Sequence, residues 1–182
     1  MEVKIVPITT RILTPKDDIV DVIEKYTKDQ ITENDVITVA ESVVAITQNM
    51  IVRPDEMEIS DLARFCCRFI PDYGSLATPH GMQALMNAEG KWRVAAALFI
   101  GFLGKLIGIR GLFYKFGGRQ AALIDDCTGT MPPFDKCVVY GPDKPEQVVN
   151  NLKNRLLIDN PVGNASQKTP ICIIKNFRQH QG

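Results

Sequence analysis

The sequence has no surplus of either charge: Lys and Arg together number 21, and so do Asp and Glu. A neutral chain has no global field to draw it to nucleic acid or to an anionic membrane, although a local basic patch stays open. Paired metal-binding cysteines are missing too. The five cysteines, at 66, 67, 127, 137 and 172, are odd in number and contain no C-x-x-C pair. Neither a disulfide framework nor a zinc finger follows from that spacing; reduced, mostly buried thiols in the cytoplasm do. The N-terminus, MEVKIVPITTRI, lacks the apolar core of a signal peptide. The most apolar run, Val94 to Gly104, is 11 residues long. Crossing a bilayer takes roughly 20, so a buried helix is expected there, with neither a membrane nor a nucleic acid as partner. Two glycine fingerprints of nucleotide-binding folds, G-x-G-x-x-G after the first strand and G-x-x-x-x-G-K-S/T, are absent. So is the nucleophile elbow of a Ser–His–Asp hydrolase.

What is present is the material of a core. The 182 residues are 45% apolar and 23% charged, within the size of one domain or two small intertwined lobes. Val3–Ile8 alternates as a strand does. Thr14-Pro15-Lys16-Asp17 supplies cap, proline and acid for a helix carrying Ile19, Val22, Ile23 and Tyr26. Val36–Ala40 reads as a short buried strand, and Val43–Ile46 either continues it or begins a second element. Ser60 caps a helix with Leu62, Phe65, Cys66 and Phe69 on one face, ended by Pro71. Thr78-Pro79 opens another, which stops at Gly90. Trp92–Ile107 reads as a third, largely buried helix. Gln120–Asp125 and Cys137–Tyr140 read as strands, Asp143 as the cap of a helix through Leu156, and Ile171–Lys175 as a final strand. The class is α/β (α+β), a mixed sheet with interleaved helices in a single domain: residues 1–52 form an N-terminal βαβ portion and 53–182 the remainder.

Four stretches could carry chemistry. In IDDCTGTMPPFD (124–135), carboxylates at a strand end can hold a hard cation such as Mg2+ or Mn2+. Asp125 and Asp126 are adjacent, so on a regular strand they point to opposite faces; an Asx-turn explains the same residues without metal. In YGSLATPHGMQ (73–83), Ser75, Thr78 and His80 stand at a helix N-terminus, where a phosphate or carboxylate can bind. A helix cap with a partly exposed histidine is the plainer account. The run from Gly101 to Gln120 joins Lys105, Arg110, Lys115 and Arg119 to several glycines. That suits a phosphate-bearing ligand, or turns with solvated charges. In NPVGNASQKTP (160–170), Asn164, Gln167 and Thr169 could bond a polar ligand or only their own loop.

At these residues the chain resembles a family. VPITTRILTPKDDIVDVIEKYTKDQITENDVITVAESVVAI is similar to the N-terminal segment of the coenzyme F-420 gamma-glutamyl ligases. IDDCTGTMPPFDKCVVYGPDKPEQVVNNL resembles a later segment of theirs, and NPVGNASQKTP resembles the ending of a divergent branch. The resemblance implies an α/β fold, usually an intertwined homodimer, with GTP and Mn2+ or Mg2+ used for amide bond formation. A carboxylate would be activated as an acyl phosphate and attacked by the amine of L-glutamate. By position Asp125 would be a metal ligand, supported by Asp126. Ser42 would stand near a phosphate, and Ser75, His80, Arg110 and Arg119 complete the expected cofactor-binding set. Two departures stand out. Ala45-Ile46-Thr47-Gln48-Asn49 lacks the family's lysine and glutamate. Leu156 runs straight into Leu157-Ile158-Asp159-Asn160-Pro161, where the family has a strand with a second aspartate, as though a segment were missing after 156. Three readings follow: a ligase, a non-catalytic or divergent relative that binds a nucleotide or anionic metabolite, and an interaction domain.

Overall fold

A computed structural model describes residues 4–32, 35–71, 74–125, 132–156, 163–164 and 171–175. It divides into two compact units, residues 1–50 with 142–182, and residues 51–141. The first unit is thus made from both ends of the chain, and the second from its middle.

The first unit holds a four-stranded sheet in the order β1, β6, β2, β5. Strand β1 (Lys4–Pro7) lies at an edge, where its proline withdraws no donor from a central ladder. Strand β6 (Ile171–Lys175) runs antiparallel to β1 and to β2 (Val36–Val39), while β2 pairs in parallel with β5 (Gly163–Asn164). The expected βαβ portion is therefore split, because β6 lies between its two strands. All four residues of β2 are buried, Thr38 with its three apolar neighbours. Helix α1 (Ile19–Thr27) lays Ile19, Val20, Val22 and Ile23 on the core with Ile37, Leu152 and Ile171. Its start differs from expectation. Asp18, not Thr14, is the cap, accepting the N–H groups of Val20 and Asp21. Thr14 is engaged in a turn instead: its N–H donates to Asp17 Oδ2 at 2.7 Å, and Arg11 grips the same carboxylate.

Helix α2 (Glu41–Thr47) settles the ambiguity at Val43–Ile46 in favour of a second element. Burial of Val44, Ala45 and Ile46 overrides the strand preference of its β-branched residues. Asn49 closes it in the left-handed region, at φ 58°, while Met50 N–H bonds the Ala45 carbonyl at 2.9 Å. Helix α7 (Pro145–Leu156) packs on α1, and Arg155 bonds both Asp21 and Glu24 across that contact. It begins two residues after Asp143, the expected cap, whose N–H and carbonyl are both taken by the Gln48 side chain.

The second unit is mostly helical, with a two-stranded antiparallel ladder of β3 (Ile51–Val52) and β4 (Val138–Val139). Ser60 caps α3 (Asp61–Cys66) as expected, through the Ala63 N–H. Its buried residues are Ala63 and Cys66; Phe65 and Phe69 are exposed and meet each other edge to face instead of forming the expected core face. Helix α4 (Pro79–Glu89) follows the sequence signals closely: Thr78 Oγ1 accepts the Gly81 N–H at 3.1 Å, and Gly90, at φ 92°, ends the helix. Met82, Leu85 and Met86 pack with Val94, Ala97, Phe113 and Val138. Helix α5 (Lys91–Leu106) lies where the apolar run predicts it but is not largely buried. Only Val94, Ala97 and Gly104 are. Helix α6 (Leu112–Phe116) follows, then a 3-10 turn at Arg119–Ala122 in place of the expected strand. Among the described residues no helix is long and apolar enough to cross a membrane.

Candidate functional site

The acidic loop is reached through two ties. Asp125 donates its N–H to the Val139 carbonyl at 2.9 Å and accepts the Val139 N–H at 2.8 Å, a single antiparallel bridge. Upstream, the Gln120 side chain accepts the Gly141 N–H at 2.8 Å and donates to the Gly141 carbonyl at 3.3 Å. These paired bonds explain why Gln120–Asp125 is not a strand: the side-chain amide takes the place that a backbone ladder would fill. The segment also meets Gly141 so closely that a Cβ there would lie 2.5 Å from the Leu123 Cβ. Asp125 is half-buried at the base of the loop. Asp126, Cys127 and Thr128 lie outside the described residues.

The 3-10 turn is fixed in its turn by Glu89, the last residue of α4. Its carboxylate accepts the Gln120 N–H at 2.9 Å and the Arg93 guanidinium at 2.9 Å. Gly118, at φ 97°, lets the backbone pass there, since a Cβ would fall 2.1 Å from that carboxylate. Burial pushes the Tyr140 phenol and the Cys137 thiol above their ordinary values. Cys66, Cys67, Cys137 and Cys172 are all buried.

The other candidates are distributed over the fold. Ser42 is the second residue of α2 in the first unit, directly after β2. Ala40, at the cap position there, makes no side-chain bond to the helix N-terminus. Ser75 and His80 belong to the second unit, at the start of α4. Ser75 begins a 3-10 turn whose carbonyl packs on Gly81 so tightly that a Cβ would lie 2.2 Å away. The Thr78 hydroxyl is committed to the Gly81 N–H and the Ser75 carbonyl. Arg110 is exposed in the turn between α5 and α6, and Arg119 is exposed at the 3-10 turn. The turn bearing Arg119 is tied to Glu89, nine residues along α4 from His80, which at 1.5 Å per residue is about 14 Å. Ser75 and His80 thus both lie near the start of α4, and Arg119 stands by the opposite end of that helix. Of NPVGNASQKTP, Gly163 and Asn164 form β5, and the remainder lies outside the described residues.

Among the described residues no three His, Cys, Asp or Glu side chains converge as metal ligands. Sequence reasoning missed two polar groups that organise the units. Gln83, buried in α4, accepts the Ser60 N–H and hydroxyl at 3.0 and 2.7 Å and so fastens α3 to α4. Its signal was there: it is the one polar residue inside GMQALM. Asp35, 1% exposed, receives the Lys175 ammonium at 2.7 Å; these residues are 140 positions apart, and nothing local announces such a pair.

Comparison with known proteins adds one finding. The family model described as F420-0:Gamma-glutamyl ligase matches residues 7–91, slightly under half of the 182 residues. The match takes in α1, β2, α2, α3 and α4 and stops at Lys91, the first residue of α5. No curated protein matches the chain. Over residues 7–91 the chain is similar to the F420-0:gamma-glutamyl ligases.

Proposed function

We propose that the protein is an acid–amino-acid ligase that joins the amine of L-glutamate, or a similar amine, to a carboxylate on a small phosphorylated molecule, using GTP. The family match over residues 7–91 carries this reading. In the reaction the γ-phosphoryl group of GTP passes to a carboxylate oxygen, giving an acyl phosphate and GDP. The amine nitrogen then attacks the acyl carbon, the bond from that carbon to the phosphate oxygen breaks, and amide, phosphate and a proton leave. Phosphoryl transfer of this kind asks the protein for positioning and charge stabilisation more than for covalent chemistry. The phosphate-side candidates are Ser75 with His80 at the start of α4 in the second unit and, separately, Ser42 at the start of α2 in the first. Arg110 and Arg119 are the assigned cations.

A divalent ion, Mn2+ or Mg2+, belongs to the reading by resemblance, with Asp125 and Asp126 as ligands. The described donor set does not fit it: Asp125 brings no second and third ligand with it among those residues, and a hard cation takes six or more oxygens. No step is therefore assigned to the ion. A homodimer is likewise part of the proposal, and sedimentation equilibrium tests it.

A specific observation favours a second reading, a relative that binds a nucleotide or anionic metabolite without turning it over. Gln48 stands in the segment where the family carries its lysine and glutamate, and its amide holds the backbone of Asp143 through one bond given and one accepted. Phosphate release from GTP that requires both a carboxylate acceptor and L-glutamate would establish the ligase. A rise in melting temperature with GTP and Mn2+, without such release, would establish the binder. Neither response at millimolar ligand would refute both.

A further inference from the structure

Helix α5 turns its small residues toward α6 and its large ones toward solvent. A Cβ on Gly101 would lie 2.9 Å from the Phe113 Cβ, and one on Gly104 would lie 2.4 Å from Leu112 Cδ1. The two glycines let the helices close into a tight hairpin with Phe113 buried inside. On the other side Trp92, Phe99, Phe102, Leu103 and Leu106 recur at helical spacing and form one stripe. They are 73%, 63%, 55%, 45% and 69% exposed, and Ile107, just beyond the helix, is 72% exposed. A contiguous apolar face of this kind marks an interaction site.

The hairpin also concentrates charge of one sign. Between Gly90 and Ile124 there is no Asp or Glu, and Lys91, Arg93, Lys105, Arg110, Lys115 and Arg119 supply six cations. Arg93 is answered by Glu89. Lys91, Lys105, Arg110 and Lys115 are exposed. Because the whole chain is neutral, this surplus belongs to the hairpin.

The pairing of an exposed apolar stripe with cations selects the occupant. A second copy docked face to face would bring two sets of cations together at a desolvated contact. An anionic bilayer accepts both features: apolar side chains enter the boundary of the acyl region, and lysine and arginine reach up to headgroup phosphates. We propose that the α5–α6 hairpin seats the protein on an anionic lipid surface, lying in its plane. The family match ends where the hairpin begins, so the inference stands or falls apart from the ligase reading.

Trp92 is the only tryptophan in the chain and reports directly on this face. With phosphatidylglycerol vesicles the protein should sediment with the lipid and its emission should shift to the blue. With phosphatidylcholine vesicles both effects should be weaker, and added salt should reduce binding. Phe102→Glu with Leu106→Glu, made at exposed positions, should keep the melting temperature and abolish binding. Lys105→Gln and Lys115→Gln leave the apolar stripe intact and should weaken partitioning to phosphatidylglycerol about fivefold each. The proposal fails if phosphatidylglycerol produces neither sedimentation nor a blue shift, or if the Phe102/Leu106 variant binds undiminished. A lipid-free blue shift that grows with protein concentration would also overturn it, giving the face to a second copy.

Discussion

Replacing Lys175 by methionine should destabilise the protein more than any other substitution of an exposed or half-exposed cation in the first unit. The Lys175 ammonium donates to Asp35 Oδ2 at 2.7 Å and also to the Gln30 carbonyl. Asp35 is 1% exposed and Lys175 24%, so the substitution removes a cation from beside a carboxylate that water does not reach. Breaking a fully buried pair costs about 3–5 kcal/mol. Here the ammonium touches solvent, and the Thr32 N–H still bonds the carboxylate at 2.9 Å. These two facts lower the expected cost to about 2–3 kcal/mol. In urea unfolding followed by far-ultraviolet circular dichroism, that loss moves the midpoint down by about 1–2 M with an unchanged slope. Asp35→Asn should be less harmful in the Lys175→Met background than alone, with a coupling of about 1 kcal/mol or more. A Lys175→Met midpoint that corresponds to less than about 0.5 kcal/mol, or strict additivity in the cycle, would refute the argument.

Gly118→Ala should cost about 2–3 kcal/mol, measured by thermal or urea unfolding, because it meets both the left-handed φ and the Glu89 carboxylate; a neutral result would mean that the Glu89 anchor is dispensable. The Arg11 guanidinium, then the Thr14 N–H, hold the Asp17 carboxyl well below the usual carboxylate range. Its contribution is therefore complete above the unfolded value near about 4 and is lost as pH falls through the folded one. Arg11→Gln should return the Asp17 midpoint toward about 4 in an NMR titration. Burial pushes the thiols of Cys66 and Cys137 up, and the thiolate is the nucleophile. Iodoacetamide at about pH 8 should label them only on unfolding, as read by peptide mapping; the same shift makes the fold lose stability as pH rises above the unfolded thiol value, near about 8.5.

Local chemistry made much of this fold legible. Ser60 and Thr78 cap the helices that their positions promise, and Gly90 stops α4 with the left-handed φ expected of it. The misreadings have physical causes. Asp17 looks like the acid of a capping motif begun by Thr14, but its carboxylate folds back on the Thr14 N–H and Arg11, so Asp18 takes the cap. The apolar run of α5 announces a helix but not which face is covered; the glycines that admit α6 leave the large side chains outside. At Gln120 a side chain supplies what looks like strand pairing. The candidate site was legible only as residue types: Ser75 and His80 stand near one end of α4, and the distance to Arg119 is set by the length of that helix.

The position of β6 bears on how the chain can be assembled. Its strand separates β1 from β2, yet it follows every other described element in sequence, and the whole of residues 51–141 is made before it. During synthesis from the N-terminus, the second unit is complete while β1 and β2 still have no strand between them. Pairing across 140 residues, as Asp35 with Lys175 requires, is the kind of contact that forms late. The nascent first unit therefore waits with its central slot open. Its α1 and β2 apolar residues are completed as a core only when β6 brings Ile171 to them.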